Sequence, residues 1–143
     1  MAQVATHTDT AASYSPKQIT GTSYARQAFE ILRLAFVVAP LVAGADKFTH
    51  LLVNWDMYLA PAVARMLPVA PHTFMLGVGL IEIVAGLIVA FMPAIGGYVV
   101  ALWLWGIIAN LLMIPGYYDI ALRDFGLSLC AIALARLSRE FQA

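Results

Sequence analysis

TFMLGVGLIEIVAGLIVAFM (73–92) runs straight into Pro93 and Ala94, and a second apolar stretch, IGGYVVALWLWGIIANLLMI (95–114), follows at once. Each holds about the twenty residues that an α-helix needs to cross roughly 30 Å of hydrocarbon at 1.5 Å per residue. So short a connection joins two such helices only as an antiparallel hairpin, and Pro93 supplies the break. Two further apolar segments, 28–48 and 119–137, flank the hairpin. The expected fold class is therefore an all-α membrane protein, a bundle of four transmembrane helices.

The connectors fit that reading. In IPGYYD (114–119), Pro115 and Gly116 end the third helix and Asp119 is placed to cap the fourth. The longest loop, 49–72, contains NWDMYLAPAVARMLP (54–68), which mixes apolar and polar residues among prolines that prevent a full crossing. A short interfacial helix is expected in this first outer loop, either as a plain surface connector or as a lid across the outer mouth of the bundle. Residues 1–27 read as a polar N-terminal tail, rich in Ala, Thr and Ser and without the apolar core of a secretory signal. A partner surface would be needed to order it. Residues 28–143 make up the transmembrane domain.

Composition agrees. With 62% hydrophobic residues, 11% charged and a mean hydropathy of +0.84, the chain lies far outside the soluble globular range, and a lipid bilayer is its expected surrounding. Eight basic residues balance eight acidic ones, which gives no electrostatic reason to expect nucleic acid as a partner. Cys130 is the only cysteine, so an internal disulfide or a Cys-x-x-Cys relay is excluded within this chain. Lys17, Arg26, Arg33, Arg136 and Arg139 fall on the side of the termini and outnumber Lys47, Arg65 and Arg123 on the other. That bias predicts both termini in the cytoplasm. Trp55, Tyr58, Tyr117 and Tyr118 would gather at the outer boundary and Tyr98 at the inner one.

Helical spacing sorts the polar residues onto faces. Arg33, Val37, Pro40, Gly44 and Lys47 form one stripe on the first helix. On the second, Gly79, Glu82, Gly86 and Ala90 align, so the glutamate lies among small residues and turns toward the bundle, where helices approach closely. Trp103, Gly106 and Asn110 align on the third helix, and Asp124, Ser128, Ala131 and Ala135 on the fourth. Asp119 and Arg123 stand four apart as an expected ion pair. The candidate buried polar cluster is thus Arg33, Lys47, Glu82, Asn110, Asp119, Arg123 and Asp124.

Glu82 is the deepest charge, near the midplane, whereas Asp46, Lys47, His50, Asn110, Asp119, Arg123 and Asp124 fall in the outer third. Placing a charge at a helix centre costs about 2.5–3.5 kcal/mol, and holding a carboxyl protonated at neutral pH costs about 3.7 kcal/mol. The two are close, so a partner decides. Arg33 reaching outward along its stripe would keep Glu82 ionised; without it, a neutral acid would bond to Asn110 or a backbone carbonyl. His50 and His72 suit interfacial loop positions better than haem or metal ligation, and no metal centre is expected. Cys130 reads as small core packing, and Trp103 and Trp105 as packing against neighbours or lipid.

RLAFVVAPLVAGADKF (33–48), GLIEIVAGL (79–87) and DIALRDFGL (119–127) together resemble the DoxX-like family of four-helix membrane proteins. The shared features are Arg33, Leu34, Gly44 and Lys47 on the first helix, Gly79, Glu82 and Gly86 on the second, and Asp119, Arg123 and Asp124 on the fourth. Val37 and Pro40 depart from the family's usual glycine and phenylalanine, so the first helix is expected to be kinked and its pocket reshaped. The resemblance implies a bacterial-type cytoplasmic (inner) membrane and an association with redox chemistry, because a related branch is the quinone-linked membrane subunit of thiosulfate oxidation.

Two functions follow as expectations. The first is a noncatalytic accessory subunit packed against a larger membrane redox or respiratory complex, or against further copies of itself, with the polar cluster fixing helix register. The second is a quinone-interacting redox subunit, in which Lys47 or Arg123 holds the headgroup and Glu82 or Asp124 moves protons. No intrinsic cofactor is expected, since no flavin or metal motif is present, and a quinone is the ligand the resemblance implies. A small-solute carrier would need an internal repeat with interrupted helices, which the sequence lacks.

Overall fold

Ser23 starts the first helix: its side-chain oxygen accepts the Arg26 amide N–H at 3.2 Å, which satisfies one of the unpaired donors at the helix N-terminus. The structure is a computed structural model that describes residues 23–141, and its regular structure is helical throughout. Helix α1 spans Tyr24–Thr49, so 24–27, which the sequence assigned to the tail, are helical. Residues 1–22 of the expected tail lie outside the described residues. Pro40 lies inside α1, and its missing N–H removes the bond that would have gone to the Phe36 carbonyl.

Prolines also open the next helices. After a single 3₁₀ turn, Trp55–Tyr58, helix α2 spans Pro61–Met66, α3 Pro71–Phe91 and α4 Pro93–Leu112. In each of these three, proline occupies the first turn, where its fixed φ suits the helix and no donor is lost. The proline taken from the sequence as a breaker is therefore also a starter, and α3 and α4 begin two residues earlier than expected. Met92 alone separates them. Helix α5, Tyr118–Phe141, begins just before Asp119, which sits in the first turn instead of capping it. There its charge still favours the positive end of the helix dipole.

Helices α1, α3 and α4 are long and apolar enough to cross a membrane. This is an all-α membrane protein. Helix α5 is as long but more polar, with Asp119, Arg123 and Asp124 at one end and Arg136, Arg139 and Glu140 at the other.

The tightest pairings are α1 with α3 and α4 with α5; α3 meets α4 more loosely, and α5 touches α1 to close the ring. Missing side chains explain the tight pairs. A Cβ on Gly44 would lie 2.6 Å from the Gly79 carbonyl oxygen, and one on Gly79 would lie 2.7 Å from that of Gly44. On the other pair, a Cβ on Gly97 would meet the Ala131 carbonyl at 2.5 Å. Close backbone approach of this kind is what small residues permit between transmembrane helices.

Between the pairs, Phe29, Phe36, Ala85, Val89, Val100, Ala101, Ala131 and Leu134 form the core. The outward faces carry exposed apolar side chains, including Ile31, Leu34, Leu80, Leu102 and Leu122, as lipid contact requires. Cys130 is exposed among them and not packed inside, because Ser128, Ala131 and Ala135 take the inward face of α5.

Candidate functional site

Lys47 and Glu82 meet where α1 and α3 are closest. The Lys47 stem passes beside Gly79, where an added Cβ would stand 3.0 Å from the Lys47 Cβ, and its Nζ donates to Glu82 Oε2 at 2.5 Å. Both side chains are buried, with 2% and 10% of their surface exposed, so this is a desolvated ion pair. The same Nζ lies 3.8 Å from the centre of the Trp55 ring and 3.5 Å from the Ala43 carbonyl. The ammonium is thus held by a carboxylate, a π-face and a backbone oxygen together.

Arg33 is not the partner of Glu82. Its guanidinium donates to the Ala90 carbonyl at 2.5 Å and lies 3.9 Å from Glu30. The antiparallel register explains the difference. With Gly44 against Gly79, Arg33 falls beside the C-terminus of α3, whose last carbonyls lack helical donors. Asn110 does not reach Glu82 either. Its Nδ2 donates to the Tyr58 carbonyl at 2.6 Å and its Oδ1 accepts from the Ala60 N–H at 2.9 Å, which ties the 49–72 loop to the end of α4.

Asp46, outside the expected cluster, organises the other end of that loop. It accepts from the Trp55 indole at 2.7 Å, from the Leu51 and Leu52 amides at 2.8 and 3.1 Å, and from the Thr49 hydroxyl at 3.1 Å. One carboxylate thereby folds the chain back after α1 and sets Trp55 over the Lys47 ammonium. We expect Asp46→Ala to leave the helices intact but to speed amide exchange at Leu51 and Leu52; unchanged protection there would refute this role. Of the four aromatics expected to gather, Trp55, Tyr58 and Tyr117 pack in successive pairs with ring centres 6.0 and 5.2 Å apart, while Tyr118 is exposed.

On α5, Asp124 is buried and Arg123 pairs with it at 3.4 Å, not with Asp119. Asp119 is exposed and makes no ion pair among the described residues. Ser128 accepts from the Trp105 indole at 3.0 Å, a link between α4 and α5 that the packing reading of Trp105 missed.

Several of these groups line a cavity of about 710 Å³. Its walls are mostly apolar, with Phe36, Pro40, Phe74, Leu104 and Leu127 among them, and Trp55, Tyr58, Leu59 and Val63 come from the loop. The loop therefore contributes part of the cavity wall. Lys47, Glu82, Asn110, Arg123 and Asp124 line the cavity; Arg33 and Asp119 do not. Trp103 adds a feature the sequence hid. Its indole N–H is shut off from solvent near the Glu82 carboxylate, but short of a formed hydrogen bond.

Fold and site define a helical membrane protein with a ligand-sized, largely apolar cavity ending at a buried ion pair. No family model, curated protein or solved structure matches the chain.

Proposed function

We propose that the protein is a four-crossing, DoxX-like membrane subunit whose cavity binds an amphiphilic ring compound of the quinone class. The observation that carries this reading is the cavity itself: about 710 Å³ of mostly apolar space with a few convergent polar groups at one end, which is the usual make-up of a small-molecule site. The residues present fit a quinone. Oxygens of the ring can accept from the Lys47, Asn110 or Arg123 side chains that line the cavity, and the Phe36, Phe74 and Leu127 walls suit a ring and an isoprenoid chain. This reading is set ahead of an accessory role because the cavity has the size and the mostly apolar lining of a small-molecule site.

The fourth crossing is α5. Asp124 turns inward while Leu122, Phe125 and Leu129 face outward, so its lipid side is apolar despite its modest overall hydropathy. Its C-terminal end lies against the start of α1, with the Phe141 and Phe29 rings 5.7 Å apart, and the basic residues near both ends argue for a cytoplasmic location. A bacterial-type inner membrane and a larger redox complex as consumer of the ligand complete the proposal.

The test is titration of the purified protein in detergent with a short-chain quinone, followed by tryptophan fluorescence. We expect saturable quenching that Gly106→Leu, at the cavity wall, abolishes and that Arg123→Gln weakens about tenfold, the worth of one hydrogen bond to a charged group. Linear, unsaturable quenching equal in all three proteins would refute the reading.

A further inference from the structure

We propose that His50, Asp56 and His72 form a binding site for one divalent transition-metal ion of the zinc class at the loop end of the bundle. Three separate elements bring them together: His50 immediately follows α1, Asp56 lies in the 3₁₀ turn and His72 opens α3. One ligand atom from each lies within 4.8 Å of the others. The two imidazoles stack at 5.3 Å between centres and 30° between planes, and His72 Nδ1 stands 3.2 Å from Asp56 Oδ2. Two neutral imidazoles and a carboxylate are the donor set that borderline ions such as Zn²⁺ take, and three protein ligands leave a position open for water.

Two further observations point to a ligand here. Asp56 Oδ1 is shut off from solvent and has no hydrogen-bond donor, although burying a carboxylate oxygen unpaired is costly. No lysine or arginine pairs with Asp56 among the described residues; its only ionic partner is His72. A cation supplies the missing positive charge. His50, the left-handed C-cap of α1 with φ at 53°, is fixed at the helix end by its N–H on the Asp46 carbonyl. Bonds of about 2.0–2.2 Å around a single ion require the ligand atoms to draw in from their present spacing. The His72 side chain, 54% exposed, has room to make that adjustment.

A bound ion would tie the end of α1 to the start of α3 and fix the 3₁₀ turn that carries Trp55 and Tyr58 into the cavity wall. The site stands independently of the quinone reading. Its consequence is a loop whose stability depends on metal, since an ion that binds only the folded loop stabilises it by mass action.

The test uses the full chain, free of any affinity tag, stripped with EDTA in detergent and titrated with Co²⁺ and then Zn²⁺. We expect one equivalent of Co²⁺ to give visible d–d bands, Zn²⁺ to bleach them, and Zn²⁺ to raise the melting temperature. His72→Ala and His50→Gly should each abolish the bands and the rise, and Asp56→Asn should weaken binding at least about tenfold. Glycine at position 50 suits the left-handed backbone, so that variant separates loss of a ligand from loss of the loop. Absence of bands at excess Co²⁺, or bands unchanged in the His50 and His72 variants, would overturn the proposal.

Discussion

Lys47→Met lowers the stability of the bundle by about 3–5 kcal/mol, and adding Glu82→Leu restores most of the loss. The reason lies in the asymmetry of a buried ion pair. Removing the ammonium leaves a carboxylate that is 10% exposed, in a cavity with apolar walls, and the nearby Trp103 N–H is its nearest substitute donor. Replacing both partners removes the charges together, so the desolvation cost disappears with the attraction. Glu82→Gln alone costs less than Lys47→Met, because the ammonium keeps the Trp55 face and the Ala43 carbonyl. Thermal unfolding of the four proteins in one detergent checks the ranking. Equal stabilities for Lys47→Met and the double variant would mean that the pair is not a coupled unit.

Gly97→Leu and Gly106→Leu, the same substitution one face apart on α4, part company just as sharply. A Cβ at position 97 would sit 2.5 Å from the Ala131 carbonyl oxygen, 2.8 Å from the Ala135 Cβ and 2.9 Å from the Ala135 amide nitrogen. Two of these obstacles are backbone, so α4 and α5 must separate along the tighter of their contacts, at a cost of 1–3 kcal/mol or more by the usual scale of overpacking, roughly. At position 106, which lies on the cavity wall, nothing lies within 4 Å, so a new side chain meets no obstacle. That variant keeps its melting temperature and loses ligand, which makes it the control for the binding experiment. A Gly97→Leu protein that melts with the parent would show that the α4–α5 contact is loose in solution.

Much of the fold was legible because helix existence is a local property. Apolar length marks α3 and α4, and Pro93 marks their junction, whatever the helices later touch. The start of α1 was misread for an equally local reason: Ser23 looks like any serine of a polar tail until its oxygen is seen on the Arg26 amide. The site was half legible. Small residues around Glu82 put it on the inward face correctly, since glycine at 79 and 86 narrows one side of the helix. The stripe from Arg33 to Lys47 held its possible partners but could not choose between them, and the structure pairs Glu82 with Lys47. Partnership depends on how two helices slide past each other, and no periodicity within either one encodes the slide.

An all-α membrane protein, the approximate course of its long helices and an inward-facing carboxylate among glycines could all be read along the chain. The meeting of Lys47 with that carboxylate, the tethering of the loop beside the cavity by Asp46 and Asn110, and the convergence of His50, Asp56 and His72 emerge only from the packed helices. Hydrophobic length and turn chemistry act over a few neighbouring residues and can be read in one dimension. The contact of Gly44 with Gly79 sets the antiparallel register of α1 and α3, and that register, a relation between distant segments, chooses the partners of Lys47, Glu82 and Arg33.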